Sequence, residues 1–258
     1  MKTAVQPAPI GITMGDPAGI GPEIIVKALA EFKKDRGYRV IGSRQIMTAT
    51  ARGLGLELDP AIVDDSVRGL GRYQMGKVQR ECGQAALQAL EIGVTLLLEG
   101  KISALVTAPV SKESLRLAGF SYPGQTEFLA QRLGARRYAM LAWTSRFKVV
   151  FVTLHKPIRV VSRYITARAV LEKATLLNDF LLKERPRTCQ PRIAVLALNP
   201  HGEEFSLGEE SRIAAGVSLA RRAGLDVTGP LPADAAVALS GSGGRRSFDG
   251  FLAMYHDQ

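Results

Sequence analysis

The sequence predicts an α/β protein with a mostly parallel sheet, and three observations predict it. Apolar runs of strand length alternate with stretches of helical periodicity along most of the chain. Hydrophobic residues make up 46% of the chain and charged residues 22%, enough apolar material to bury a core. No internal repeat interrupts the alternation, and the one low-complexity stretch is short, Ser240 to Gly244.

The elements follow in order. Residues 10–14 read as a strand, and 22–32 as a helix with Pro22 in its first turn. A short strand at 39–41 leads to a helical stretch at 44–52. Residues 83–99 have the spacing of a long amphipathic helix, 104–107 of a buried strand, and 127–133 of a helix. Strands are predicted at 140–143 and 149–154, joined by a hairpin at Ser145-Arg146. A helix over 167–183, a strand at 193–198, a helix over 209–223 and a strand at 251–255 complete the pattern. The reading divides the chain into one α/β domain over 1–128 and a second over 129–258.

Bulk properties narrow the function classes. The net charge is +10, from 34 Lys and Arg against 24 Asp and Glu, a balance that favours anionic partners. The basic residues fall in scattered pairs, Lys33-Lys34, Arg136-Arg137, Arg221-Arg222 and Arg245-Arg246, as on a solvated surface. Nucleic acid is one candidate partner and a phosphate-bearing metabolite with a dinucleotide is another, and no recognised nucleic-acid motif is present. No apolar run reaches the roughly 18 residues of a membrane span. Residues 1–9 carry one Lys with no apolar stretch after it, unlike a signal peptide. Cys82 and Cys189 are far apart and in no metal spacing, and read as reduced thiols of a cytoplasmic protein.

The chain has three histidines, His155, His201 and His256, and each lies just beyond an apolar strand. Ligands of open α/β sheets bind outside the carboxyl ends of the strands. Any one of these histidines alone would read as an ordinary surface residue. Three placed alike point to three imidazoles converging on a divalent transition metal. Two other strand ends carry candidate groups. The glycine-rich turn Gly15 to Glu23 could bring backbone close to a ligand at a helix N-terminus, although Ile24 stands where a dinucleotide fingerprint needs its third glycine. Lys112, after the strand at 104–107, is either a phosphate or proton-transfer partner or a solvated charge.

Seven segments taken together carry a family resemblance. They are Thr13 to Glu23, Thr107 to Lys112, Ala118-Gly119, Gly124 to Phe128, Asn199-Pro200-His201-Gly202, Gly229 to Asp234, and Tyr255-His256-Asp257-Gln258. In order and rough spacing the chain resembles the 4-hydroxythreonine-4-phosphate dehydrogenase family from residue 10 onward. The resemblance implies an isocitrate/isopropylmalate-dehydrogenase-like fold, with two α/β domains and a cleft between them. It implies a homodimer with active sites at its interface, NAD or NADP as cofactor, and one divalent ion (zinc, cobalt or magnesium) per site on His155, His201 and His256. The family's substrate-binding His-Thr pair maps onto Gln125 and Thr126. Glutamine there can hydrogen-bond an anion but cannot carry charge or shuttle a proton.

Two further departures concern length. The segment Glu203 to Gly208 is shorter than the family's loop, and the family continues beyond the position of Gln258. A final strand with no helix to cover it also looks incomplete, and the chain reads as C-terminally truncated. The implied reaction is NAD-dependent oxidation and decarboxylation of 4-phosphohydroxy-L-threonine, a step in pyridoxal 5'-phosphate biosynthesis. Lys112 and Asp234 are candidates for proton handling or metal support, and Asp234 serves equally well as a helix-capping or turn residue. Two alternatives stay open: a related dehydrogenase of a sugar-acid phosphate such as threonate 4-phosphate, and a non-catalytic metal-binding relative.

Overall fold

The computed structural model describes residues 8–32, 37–184, 190–241 and 248–258. Cys189 and the basic pairs Lys33-Lys34 and Arg245-Arg246 lie outside the described residues, as does most of the Ser240 to Gly244 stretch. The chain divides into two compact units, Met1–Ala135 and Arg136–Gln258.

The first unit contains β1 (Ile10–Thr13), α1 (Gly21–Glu31), β2 (Tyr38–Ile41), α2 (Arg44–Gly53), β3 (Val63–Asp64), α3 (Arg80–Leu98), β4 (Ala104–Thr107), α4 (Lys112–Leu117) and α5 (Gln125–Arg132). Its sheet runs β3-β2-β1-β4 and every pairing is parallel. The pleat sorts successive side chains to opposite faces. Ile12 and Val40 pack with Ile25, Val26 and Met47 of α1 and α2. Ile41 faces the other way, into a cluster with Ala85, Ala89 and Leu96 of α3. The expectation of a buried strand at 104–107 is corrected. β4 is an edge strand paired with β1 alone, and only Leu105 turns toward α3, while Val106 is half exposed.

The second unit contains β5 (Leu141–Trp143), β6 (Lys148–Phe151), α6 (Val161–Tyr164), α7 (Ala167–Glu184), β7 (Arg192–Leu196), α8 (Glu209–Arg222), β8 (Asp226–Leu231), α9 (Ala233–Gly241) and β9 (Gly250–Ala253). Its sheet runs β5-β6-β9-β7-β8. The pair β5–β6 is an antiparallel hairpin about Ser145-Arg146, as expected, and the remaining pairings are parallel. Ile193, Val195 and Leu252 face α7 and α8 in one core. Ala194, Leu196, Phe251 and Ala253 face a second cluster that includes Ala236 of α9 and Phe248.

One expectation is overturned here. The final strand, expected without a helix to cover it, is covered by α7. β9 sits at the centre of its sheet with all four residues buried, and a Cβ on Gly250 would meet Leu177 and Leu181 of α7 at 3.0–3.2 Å. β8 and α9 escape the pattern of apolar runs. Gly229-Pro230 interrupts the apolar pattern within β8, and proline lacks the donor that a central strand needs. β8 tolerates it because it is an edge strand with a register shift against β7. α4 and the first two residues of α5 likewise lie outside the predicted helices. Ser111 caps α4 by accepting a hydrogen bond from the Ser114 amide at 3.1 Å.

Cys82 is a free, fully buried thiol. Burial first, and then the Asp16 carboxylate, push its pKa up to about 11. It is a core residue of α3, in keeping with a reduced cysteine.

Gly83 next to it sets how close α3 lies to α4. A Cβ there would stand 1.9 Å from the Ser114 carbonyl oxygen and 2.3 Å from its carbon, so backbone rather than a mobile side chain would have to shift. Gly83→Ala is therefore expected to destabilise the protein by about 1–3 kcal/mol, the usual cost of overpacking. Urea denaturation measures this, and a variant as stable as the parent would refute the contact.

Candidate functional site

The three histidines leave three neighbouring strands. β6, β9 and β7 are adjacent and mutually parallel, so their carboxyl ends lie at one end of the sheet. His155 follows β6, His256 follows β9 and His201 follows β7, all in exposed turns.

Within that group the structure brings two rings together. The rings of His155 and His256 have centroids 6.1 Å apart with planes at 34°. Two imidazoles on one tetrahedral ion at about 2.1 Å set their centroids roughly 5 Å apart, so this pair is close but wider than the spacing of shared ligation. His256 also stacks on Phe151, with centroids 5.3 Å apart, and its Nδ1 lies 3.0 Å from Asp257 Oδ1. A carboxylate only accepts, so a neutral ring in this contact carries its proton on Nδ1 and presents a lone pair at Nε2. His201 is not brought into the pair. Its ring packs edge-on against Phe205, and among the described residues no group of three His, Cys, Asp or Glu side chains is close enough to hold a metal ion.

The backbone at His201 is left-handed, with φ 57° and ψ 7°. Few non-glycine residues adopt that region, and strain of this kind gathers at functional turns. What holds the turn is a carboxylate pair that sequence reasoning missed. Glu210, fully buried in the first turn of α8, accepts from the Leu198 and Asn199 amides, both at 2.8 Å. The Asn199 side-chain amide donates to Glu209 at 2.8 Å and to Glu210 at 3.3 Å. The Asn199 amide holds the Glu209 carboxyl below its ordinary pKa, whereas burial pushes Glu210 up. Two acids in the first turn of a helix look like ordinary dipole partners in sequence. Only the path of the loop shows that they bind it.

The remaining candidates are placed as follows. Gln125 and Thr126 are the first two residues of α5, which starts two residues earlier than expected because Gly124 is extended rather than helical. Gln125 makes no capping bond, and its Oε1 is buried without a hydrogen-bond partner. Lys112 is exposed and opens α4. Asp234 is exposed in the first turn of α9, where a carboxylate suits the helix dipole. In the glycine-rich turn, Asp16 accepts from the Ala18 amide at 2.8 Å, and Gly15 takes φ 74° with its α-carbon against Pro109, where a Cβ would lie 2.4 Å from the Pro109 oxygen.

The carboxylate network makes a prediction. Asn199→Ala removes the donor shared by Glu209 and Glu210 and should cost about 1–3 kcal/mol near neutral pH. Glu209 has a depressed folded pKa, so its contribution is present above its unfolded pKa and is lost as pH falls through the folded one. The gap in stability between parent and variant should therefore narrow in acid. Urea denaturation from pH 7 downward measures it, and a gap that widens in acid would overturn the assignment.

Comparison with known proteins places these features in context. The sequence model of the family described as pyridoxal phosphate biosynthetic protein PdxA matches residues 23–258. The 4-hydroxythreonine-4-phosphate dehydrogenase of Aquifex aeolicus is 35% identical over 264 residues, covering 96% of this chain and 80% of that protein. The D-threonate 4-phosphate dehydrogenase of Salmonella typhimurium is 38% identical over 271 residues, covering 96% and 81% respectively. The crystal structure of 4-hydroxythreonine-4-phosphate dehydrogenase from Klebsiella pneumoniae matches with a TM-score of 0.83 at 34% identity, covering 99% of this chain and 82% of that one.

Proposed function

The chain belongs to the family of pyridoxal phosphate biosynthetic protein PdxA and is a dehydrogenase; on that premise we propose that it oxidises 4-phosphohydroxy-L-threonine with NAD or NADP. The oxidised acid loses carbon dioxide and yields 3-amino-2-oxopropyl phosphate, a step in pyridoxal 5'-phosphate biosynthesis. The observation that carries this reading from the structure is the exit of His155, His256 and His201 from three adjacent parallel strands.

The chemistry of the three imidazoles, rather than their spacing, suits a divalent ion, with zinc favoured and cobalt or magnesium as alternatives. His155 and His256 stand near each other, with ring centroids 6.1 Å apart. His201 would join them through its turn. When bound, the ion would lower the pKa of the substrate hydroxyl and polarise the carbonyl that replaces it, while the nicotinamide accepts the hydride. The chain's own groups bind and move protons. Asp257 orients the His256 ring. Gln125 and Thr126 hold an anionic group of the substrate by neutral hydrogen bonds at the start of α5. Lys112 takes the hydroxyl proton or pairs with phosphate, and Asp234 supports proton return to the carbon that loses carbon dioxide.

The same reading includes an isocitrate/isopropylmalate-dehydrogenase-like fold, a homodimer and a cytoplasmic location. Among the described residues no helix is long and apolar enough to cross a membrane. A second reading has one specific support: a relative 38% identical over 271 residues is named D-threonate 4-phosphate dehydrogenase. The two substrates differ at the carbon bearing the amine or hydroxyl, and both carry the phosphate.

Reduction of NAD or NADP measured with each substrate in parallel decides between them. Faster turnover of 4-phosphohydroxy-L-threonine is expected. Faster turnover of D-threonate 4-phosphate would transfer the assignment, and turnover of neither would leave a metal-binding relative without activity. His155→Ala, His201→Ala and His256→Ala should each lose most of the bound metal and most of the turnover; full metal content in all three by elemental analysis would end the metal assignment.

Gln125→Ala should raise the Michaelis constant about tenfold to a hundredfold, since a hydrogen bond to a charged group contributes roughly 1.5–3 kcal/mol. An unchanged Michaelis constant with a lowered melting temperature would make Gln125 a structural residue only.

A further inference from the structure

We propose that Gln258 is a positioning residue that ties the His256 turn to the His201 strand end through its side-chain amide. The proposal rests on the metal reading above for its purpose, but not for its geometry.

The ladder between β7 and β9 pairs Ile193 with Gly250, Ala194 with Phe251 and Val195 with Leu252. Past that point the two chains part toward their histidines, and buried backbone groups there need other partners. Gln258 supplies them. Its Oε1 accepts from the Met254 amide at 2.7 Å, and its Nε2 donates to the Ala197 carbonyl. A carboxamide presents an N–H donor and a C=O acceptor as a peptide group does, so the side chain acts as an added rung between the strands. Met254 and Ala197 are almost fully buried, so neither group can turn to water instead.

The carbonyl of the same residue is tied as well. The Met254 carbonyl accepts from the Thr153 amide at 3.1 Å and from the Thr153 hydroxyl at 2.8 Å. Thr153 is two residues before His155, Met254 two before His256, and Ala197 four before His201. The hydrogen-bonded path Thr153–Met254–Gln258–Ala197 thus crosses all three histidine-bearing strand ends. Gln258 is its one link made wholly by a side chain, and it also closes its own turn, with its amide donating to the Tyr255 carbonyl at 3.3 Å. With both its side-chain bonds made to backbone, it would act through the two turns.

Two variants separate this role from general stability. Gln258→Met keeps the length of the side chain and removes both bonds. Gln258→Glu keeps the acceptor for Met254 and loses the donor for Ala197. Amide hydrogen exchange of the metal-free protein is the first readout. Gln258→Met should speed exchange in residues 197–202 and 253–257 while α3, α7 and α8 keep their protection. Gln258→Glu should speed it in 197–202 alone. Unchanged exchange in both segments, or a uniform rise across the second unit, would overturn the proposal. The second readout is titration with cobalt(II), followed by its visible absorption. Gln258→Met should bind about 10–100-fold more weakly than the parent, the usual effect of losing an outer-shell partner. Parent-like affinity and spectrum in that variant would overturn the positioning role. A parent that binds no cobalt would defeat the metal reading instead, and the exchange data would still decide whether Gln258 sets the turns.

Discussion

Parallel pairing of β9 with β6 on one side and β7 on the other is the constraint from which the rest of the second unit follows. Parallel neighbours present their carboxyl ends at the same end of a sheet, so the residues after them share one region without any further device. The pairing also dictates composition. A strand with neighbours on both edges and helices or loops on both faces has no position for a charge. β9 reads Gly-Phe-Leu-Ala and is buried throughout. Its glycine matters as much as its apolar residues, because Leu177 and Leu181 of α7 rest where a side chain would be.

The turns beyond these strands carry the opposite chemistry. Their histidines are exposed, and side-chain hydrogen bonds fix the backbone beside His201 and His256. Asn199 is held by two carboxylates of α8, and Met254 by Thr153 and Gln258. The left-handed residue His201 sits between the Glu210-bound segment and a short 3-10 turn over Gly202–Phe205, so its conformation is imposed from both sides. Rigid strands set where the turns begin, and side-chain hydrogen bonds set where they point.

Much of this was legible in the sequence, and the pattern of what was not has a physical cause. The apolar runs that became β1, β2, β6, β7 and β9, and the long helices α3, α7 and α8, were recognisable because burial writes itself into composition. β4 was misread as buried because an edge strand can be as apolar as a central one; Val106 is half exposed despite its residue type. β8 was hidden by Gly229-Pro230, which an edge position tolerates. At the candidate site, the histidines could be found from their place after strands. The Asn199–Glu209–Glu210 network and the Gln258 bridge could not, since tertiary hydrogen bonds leave no periodicity. Nor did the sequence distinguish His155 and His256, which stand close together, from His201, which packs on Phe205.

The central place of β9 bears on the order in which the second unit can assemble. Its sheet runs β5-β6-β9-β7-β8, so a strand that follows the other four in sequence joins the two pairs that precede it. While the chain is being synthesised, at roughly 5–20 residues per second, the β5–β6 hairpin and the β7–β8 pair have no common neighbour. Each shows an open edge until residues 250–253 arrive, and open edges are templates for pairing with the wrong chain. Closing the sheet requires contacts about a hundred residues apart in sequence, between Val149 and Phe251 for example, and such long-range pairing is slow to form. The same strand that gathers the histidine turns also makes both earlier pairs dependent, at birth, on residues that follow β6 by about a hundred positions.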